Sequence, residues 1–228
     1  MEEIKNIQKS QKSEKVIVVI PAYNENQTIK KVVLGLFREG VHEVIVVDDG
    51  SQDDTAIQAQ EAGAIVVKQK LNQGYDAAVN KGFSKAFEKG ATIILTFDAD
   101  DQHNPSDVHK ILHPILEDKA DIVVGIRSFK QRMMEHLFAA YGRLKIGIRD
   151  PLSGAKGYRV EAYKEVGYFD KIGSTGTQLI FAAHKKGFRI VELPIDVFKR
   201  EGSSRYGRSL VGNYKLLKSF IKIVFMTS

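Results

Sequence analysis

The sequence predicts an α/β domain, with a Rossmann-like, mostly parallel central sheet and helices on both faces. Two observations carry this. Short apolar runs alternate with helix-length amphipathic stretches along the first 126 residues, and repeated strand–helix–strand units close into parallel sheets. The runs are also β-branched and almost continuously apolar, as strands covered on both faces must be. With 228 residues, 43% hydrophobic and 27% charged, the chain is an ordinary globular mixture of single-domain size.

Lys15–Ile20, Glu43–Val47, Ala64–Val67, Thr92–Phe97 and Asp121–Ile126 read as the strands. Helices are expected near 26–38, 53–62, 75–88 and 105–117. Ser51 with Asp54 three residues on has the spacing of a capping box, with Asp in place of Glu. Asn104 before Pro105 places a cap ahead of a proline at the first helical position. Past residue 127 the pattern changes. A helical stretch covers roughly 131–147, then comes the glycine-rich segment Ser153–Tyr158. A helix near 177–187 precedes a strand pair around Arg189–Phe198, broken by Pro194. A basic loop fills 200–209, with the composition of a lid that orders on binding. Residues 1–228 thus form one domain, with a polar tail over 1–14 and an amphipathic helix over 210–225.

The formal net charge of +6 hides an asymmetry. Residues 1–126 carry 14 basic and 20 acidic side chains, and residues 127–228 carry 20 and 8. Such a split is a statement about partners rather than fold. The absence of cysteine excludes disulfides, thiolate zinc sites and cysteine nucleophiles, and suits a reducing compartment. The first 15 residues lack the apolar run of a signal peptide. No apolar stretch reaches the roughly 18 residues needed to span a bilayer.

In open α/β sheets, ligands bind beyond the carboxyl ends of the strands. Here the first strand ends in Pro21-Ala22-Tyr23-Asn24-Glu25, the second in Asp48-Asp49-Gly50-Ser51 and the fourth in Asp98-Ala99-Asp100-Asp101-Gln102-His103. Acids gathered on one rim repel each other unless a cation or a donor-rich ligand compensates. A hard divalent metal bridging phosphate oxygens is the natural compensation. No G-x-G-x-x-G follows the first strand and no G-x-x-x-x-G-K-[ST] occurs, which argues against a dinucleotide dehydrogenase and a P-loop ATPase. His103 reads more readily as a partly exposed turn residue than as a support for a metal ligand. The pair Gly154 and Gly157 reads equally as a close approach of backbone to a ligand or as a bulge.

The ordered series VIVVIPAYNE, VIVVDDGSQDDT, LNQGYDAAVNKG, LTFDADDQH, DIVVGIR, DPLSGAKGYR and VELPIDVFKREGSSR resembles family 2 glycosyltransferases of GT-A fold. Within that family it resembles the dolichyl-phosphate mannosyltransferase and polyprenyl-phosphate glycosyltransferase group, over about residues 15–210. The resemblance implies a single GT-A domain and an inverting transfer from a nucleotide sugar, GDP-mannose or a UDP-hexose, to dolichyl or undecaprenyl phosphate. It implies that Pro21, Ala22, Tyr23 and Glu25 frame the nucleoside and that Asp49, helped by Asp48, accepts a hydrogen bond from the base. Asp98 and Asp100 would form a D-x-D binding Mg²⁺ or Mn²⁺, with Gln102 as third ligand and Asp100 central to catalysis. Arg127 would face the acceptor phosphate, with Arg132 as a weaker candidate. Arg200 and Arg205 would engage phosphates from the basic loop. Asp150 and Ser153 match a D-x-x-S-G segment on the acceptor side.

One departure bears on the acceptor. Gln178 stands where the family pattern leads one to expect an acid. A hydroxyl acceptor needs a general base, whereas a lipid phosphate is already anionic, so the amide favours a phosphate acceptor. The alternative is transfer to a hydroxyl of a glycan or lipid in cell-surface polysaccharide synthesis, with Asp150 as base. A non-catalytic protein holding phosphate or nucleic acid is a weaker third reading, because no nucleic-acid motif is present and the rim is acidic; no nucleic-acid partner is expected.

In the last helix Leu210, Tyr214, Leu217, Ile221 and Val224 form one stripe, and Lys215, Lys218 and Lys222 another. A basic amphipathic helix suits an anionic membrane surface or packing on its own domain. The expected location is the cytoplasm, at the cytoplasmic face of a membrane. Contact there would be peripheral or through a membrane-protein subunit, and a homo-oligomer is equally compatible.

Overall fold

Alternate residues of the first strand, β1 (Val16–Ala22), enter two different cores in the computed structural model, which describes residues 14–128, 133–198 and 210–227. Val16, Val18 and Ile20 pack beneath α1 (Ile29–Arg38) and α4 (Asp107–Leu116). Ile17 and Val19 pack beneath α3 (Tyr75–Glu88), α6 (Val160–Val166) and α7 (Thr177–Lys185). Each such side chain contributes about 1.5–3 kcal/mol on burial. Both faces of the strand must therefore be apolar, which explains its unbroken VIVVI run.

The strands β2 (Glu43–Asp48), β3 (Ile65–Lys68), β4 (Ile93–Thr96) and β5 (Ile122–Ile126) fall where the sequence places them. With β6 (Lys156–Arg159) and β7 (Ile190–Pro194) they form one seven-stranded sheet in the order β3-β2-β1-β4-β6-β5-β7. All pairings are parallel except those of β6, which runs antiparallel between β4 and β5. The crossovers reverse direction at β1, so the carboxyl ends of β1 and β4 open on a crevice.

Several features change or extend the sequence reading. The glycine-rich segment 153–158 runs into β6; Gly157 sits where a Cβ would meet Ile111 and Leu95 side chains at 2.6 and 2.8 Å. The strand pair after residue 189 is a single strand, β7, parallel to β5, followed by an isolated bridge of Val197 to His103. The capping box does not form. Helix α2 (Thr55–Glu61) begins after Asp54, and Ser51 Oγ instead accepts the Asn24 N–H at 2.9 Å. Asn104 is not the helix cap either: its Oδ1 accepts the Ser106 N–H at 3.1 Å in the preceding turn, and the helix begins at Asp107, past Pro105.

The last helix, α8 (Leu210–Thr227), packs against α5 (Met133–Ile146) and α7. The buried face is Leu216, Ser219 and Ile223, set against Met134, Phe138, Leu152 and Phe181. Ser219 Oγ anchors it by donating to the Ile172 carbonyl at 2.7 Å. The stripe read from spacing stays outside: Tyr214 is 57% exposed, Leu217 39% and Ile221 46%. No described helix is long and apolar enough to cross a membrane.

The sheet leaves no room above β1 for a side chain on α3. A Cβ at Gly82 would stand 2.2 Å from Val19 Cγ1. Gly82→Ala is expected to lower stability by about 1–3 kcal/mol, read as a lower urea midpoint at unchanged slope.

Candidate active site

Beyond the carboxyl ends of β1, β2 and β4 lies a cavity of about 1070 Å³. Pro21, Ala22, Tyr23, Glu25, Asp49, Asp98, Asp100, Gln102 and Arg127 share its wall. Asp48, Asp150 and Ser153 do not line it. Arg132, Arg200 and Arg205 lie outside the described residues.

At one end, two strand-end loops are stitched together. The Asn24 N–H donates to Ser51 Oγ, the Gln52 N–H to Asn24 Oδ1 at 2.8 Å, and the Glu25 N–H to Thr55 Oγ1 at 2.7 Å. Asp48 serves this turn, accepting the Ser51 N–H at 3.0 Å, and borders an adjoining hollow with Tyr23. Asp49 is buried and organises the next loop. It accepts hydrogen bonds from Gln69 Nε2, the Gln73 N–H and the Gly74 N–H, each at 2.8 Å. Three of its roughly four acceptor positions are thus occupied, which leaves about one for a ligand.

At the end of β4, Asp98 keeps 29% of its side chain exposed. A Cβ on Gly154 would lie 2.0 Å from Asp98 Oδ2, so only glycine leaves space for that carboxylate. Gly154 is held in place by its carbonyl, which accepts the Thr96 hydroxyl at 2.6 Å. The glycine therefore admits neither a ligand nor a bulge but a side chain of the protein. Burial opposes ionisation of Asp98, yet a hydrogen bond from His103 and the charges of Arg127 and Lys156 outweigh it and hold the carboxyl below its usual range.

His103 is buried rather than exposed at a turn, with Nε2 3.2 Å from Asp98 Oδ2 and its ring edge-on to Phe97. Asp100 Oδ1 accepts the Gln102 N–H at 3.2 Å. Gln102 spends its amide nitrogen on the Phe198 carbonyl at 3.1 Å. The side-chain group it retains for a ligand is its carbonyl oxygen.

At the end of β5, Arg127 is only 15% exposed and is held by two acids. It binds Asp150 bidentately, Nε to Oδ2 at 2.9 Å and Nη2 to Oδ1 at 2.8 Å, and reaches Glu135 at 3.2 Å. Burial opposes its charge, but Asp150 and Glu135 hold its pKa above the ordinary value. Asp150 is buried behind the guanidinium and off the cavity wall. The expected proton acceptor for a hydroxyl substrate is therefore an anchor for Arg127. Glu192 of the V-E-L-P segment clamps the same loop, accepting the Arg149 and Asp150 N–H groups at 2.6 and 2.9 Å. Ser153 is buried beneath the cavity, its Oγ without a partner among the described residues.

Several site residues receive no role in the sequence reading, although Asp76, Asn80 and Lys156 lie within its motif series. Asn80 clamps the loop after α6 onto α3, accepting the Phe169 N–H at 2.8 Å and donating to the Asp170 carbonyl. Asp170 gathers that loop with bonds from the N–H groups of Ile172, Gly173, Ser174 and Gly176. Lys156 points from β6 into the cluster and donates to the Thr175 carbonyl; burial pulls its pKa down to about 8 against the pull of Asp150, Asp76 and Asp170. Asp76, on the cavity wall, is pushed up to about 7 by burial and by the Asp170 charge. Gln178 proves structural: Oε1 accepts the Lys171 N–H at 2.7 Å and Nε2 meets Met226 Sδ at 3.5 Å. The exposed Lys215, Lys218 and Lys222 of α8 line the cavity together with Leu216 and Ser219.

A mostly parallel sheet with one antiparallel strand, a D-x-D after β4 and a cavity at the strand ends define a glycosyltransferase of GT-A fold. The chain belongs to that class through its sequence as well: the Glycosyl transferase family 2 model matches residues 17–169, so it is a member of that family. It is 30% identical over 232 residues to a UDP-N-acetylglucosamine–dolichyl-phosphate N-acetylglucosaminyltransferase of Methanococcus voltae, covering 88% of this chain and 92% of that one. It is 29% identical over 222 residues to an undecaprenyl-phosphate mannosyltransferase of Micrococcus luteus, covering 87% and 90%. The fold matches glucosyl-3-phosphoglycerate synthase of Mycobacterium tuberculosis, solved with Mg²⁺ and UDP, at a TM-score of 0.76. The identity there is 20%, over 96% of this chain and 82% of that one.

Asp76 takes up its proton at higher pH in the fold than in the unfolded chain. Its ionisation therefore costs stability above about pH 7, and the cost fades as pH falls from 7 towards about 4. Asp76→Asn is expected to raise Tm at pH 8 and to leave it little changed near pH 4, measured by thermal unfolding across that range.

Proposed function

We propose that the protein transfers a sugar from a nucleotide-sugar donor to a polyprenyl phosphate, with a divalent metal, at the cytoplasmic face of a membrane. The observation that carries this reading is the charge layout of one cavity. The acids Asp98 and Asp100 and the α8 lysines Lys215, Lys218 and Lys222 line the same cavity. The relatives named above, which act on dolichyl or undecaprenyl phosphates by their names, support it.

The donor set at the rim suits a hard cation: the Asp98 and Asp100 carboxylates and the Gln102 carbonyl are all oxygen ligands. Mg²⁺ is commonly held by one or two carboxylates plus substrate phosphates. Among the described residues no three His, Asp or Glu side chains are grouped as a metal site by themselves, so diphosphate oxygens would complete the shell. When bound, Mg²⁺ or Mn²⁺ neutralises the diphosphate and makes the nucleoside diphosphate a better leaving group. Gly154 and His103 hold the Asp98 carboxylate in its orientation. Pro21, Ala22, Tyr23 and Glu25 frame the nucleoside, and Asp49 keeps the 72–74 loop against it.

A phosphate acceptor attacks the anomeric carbon in line through an oxygen that is already anionic, with inversion and no proton to remove. This agrees with a site in which Asp150 is committed to Arg127 and Gln178 to the Lys171 backbone. Two acids face the Arg127 charge, so it orients a phosphate more than it neutralises one. Lys215, Lys218 and Lys222 supply the remaining positive charge. The exposed Tyr214, Leu217, Ile221 and Phe225 on the same helix would meet the lipid surface.

Incubation with labelled UDP-GlcNAc, UDP-glucose or GDP-mannose and polyprenyl phosphate should yield a lipid-linked sugar. Product on hydroxyl acceptors alone would overturn the reading. Asp100→Asn should lose most Mn²⁺-dependent nucleotide binding by calorimetry. The triple variant Lys215→Glu/Lys218→Glu/Lys222→Glu should raise KM for polyprenyl phosphate about tenfold or more, with KM for the nucleotide sugar nearly unchanged.

A further inference from the structure

One group on the cavity wall has no task in the reaction as described. Asp76 Oδ1 is buried and has no hydrogen-bond partner among the described residues. Buried acceptors are normally satisfied, and one left open on a ligand cavity calls for an explanation. Its position is fixed from both sides. Two residues earlier the Gly74 N–H is bound to Asp49, at the nucleoside end. The neighbouring Tyr75 hydroxyl faces Asp98, whose charge adds to burial in pushing the phenol up. One helical turn later, Asn80 pins the Asp170 loop over the same face of α3. Asp76 thus shares one cavity wall with Gln73 and Gly74 of the nucleoside loop and with the D-x-D.

We propose that Asp76 is a specificity-determining residue for the donor, its open carboxyl oxygen hydrogen-bonding a hydroxyl of the transferred hexose. This deepens the reading of the cavity as a nucleotide-sugar site and rests on it. The physical reason is asymmetry. A sugar carrying a hydroxyl at this point satisfies a buried acceptor, and one lacking it leaves the acceptor unpaired, which discriminates far more strongly than shape alone. The Asp170 carboxylate cannot take the role, because five donors of its own loop already occupy it. Lys156, committed to the Thr175 carbonyl, supplies the charge that lets two acids lie together.

The test compares Asp76→Ala and Asp76→Asn with the wild type by calorimetry in Mn²⁺. The ligands are UDP and GDP alone, and UDP-GlcNAc, UDP-glucose and GDP-mannose. Asp76→Ala should bind the preferred nucleotide sugar about 10- to 100-fold more weakly while binding its nucleoside diphosphate within about twofold of wild type. Asp76→Asn, of the same shape, should alter the ranking of the sugars. Equal weakening for sugar and diphosphate, or no weakening in either variant, overturns the proposal. So does unchanged affinity with lost turnover, which would make Asp76 a proton acceptor. Wild-type protein that binds no nucleoside diphosphate at all overturns the nucleotide-sugar reading instead, and this one with it.

Discussion

Carboxylates crowd beneath one rim of this protein, and two buried cations hold them there. Arg127 gathers Asp150 and Glu135, joining the end of β5 to α5 and to the loop before β6. Lys156 reaches from β6 to the loop around Asp170 and stands among Asp76, Asp150 and Asp170. Removing one partner of such a buried pair leaves an uncompensated charge, at a cost of about 3–5 kcal/mol. The acidic site therefore depends on two side chains that touch the chemistry only indirectly. Their placement follows from the one antiparallel strand of the sheet. Inserted between β4 and β5, β6 delivers both Lys156 and the bare backbone of Gly154 to the place where Asp98 emerges.

That arrangement separates positioning from reaction. Asp49, Asp150 and Asp170 spend their oxygens on the protein's own N–H and guanidinium groups and so set loops. Asp98 and Asp100 stand on the cavity wall, where a cation would meet them. The lysines read from spacing as facing a membrane surface line the same cavity as the acids. Acids of the first part of the chain and lysines of the second thus meet at one cavity.

Much of this was legible in the residues. The β-branched runs gave the first five strands, because a strand covered on both faces admits little else. The D-x-D and the strand-end motifs lay on one rim because the crossover rule puts them there. Other features were not legible. β6 is four residues long and contains a glycine, so its strand character comes from its neighbours β4 and β5 rather than from propensity. The buried face of α8 was not legible for a related reason. Tyr214, Leu217 and Ile221 satisfy helical spacing as well as Leu216, Phe220 and Ile223 do, and a periodicity does not say which stripe meets the domain.

By itself, then, the sequence determined the sheet, the rim and the family, since those rest on local pattern and on motifs held in chain order. Only the tertiary structure decided which acids remain open to a ligand. Asp48, Asp49, Asp98, Asp100 and Asp150 are the same residue type at similar strand ends. What separates them is where hydrogen-bond donors from distant segments happen to converge: Gly74 on Asp49, Arg127 on Asp150, His103 on Asp98. A carboxylate's role is set by its partners, and partners remote in sequence meet only in the fold.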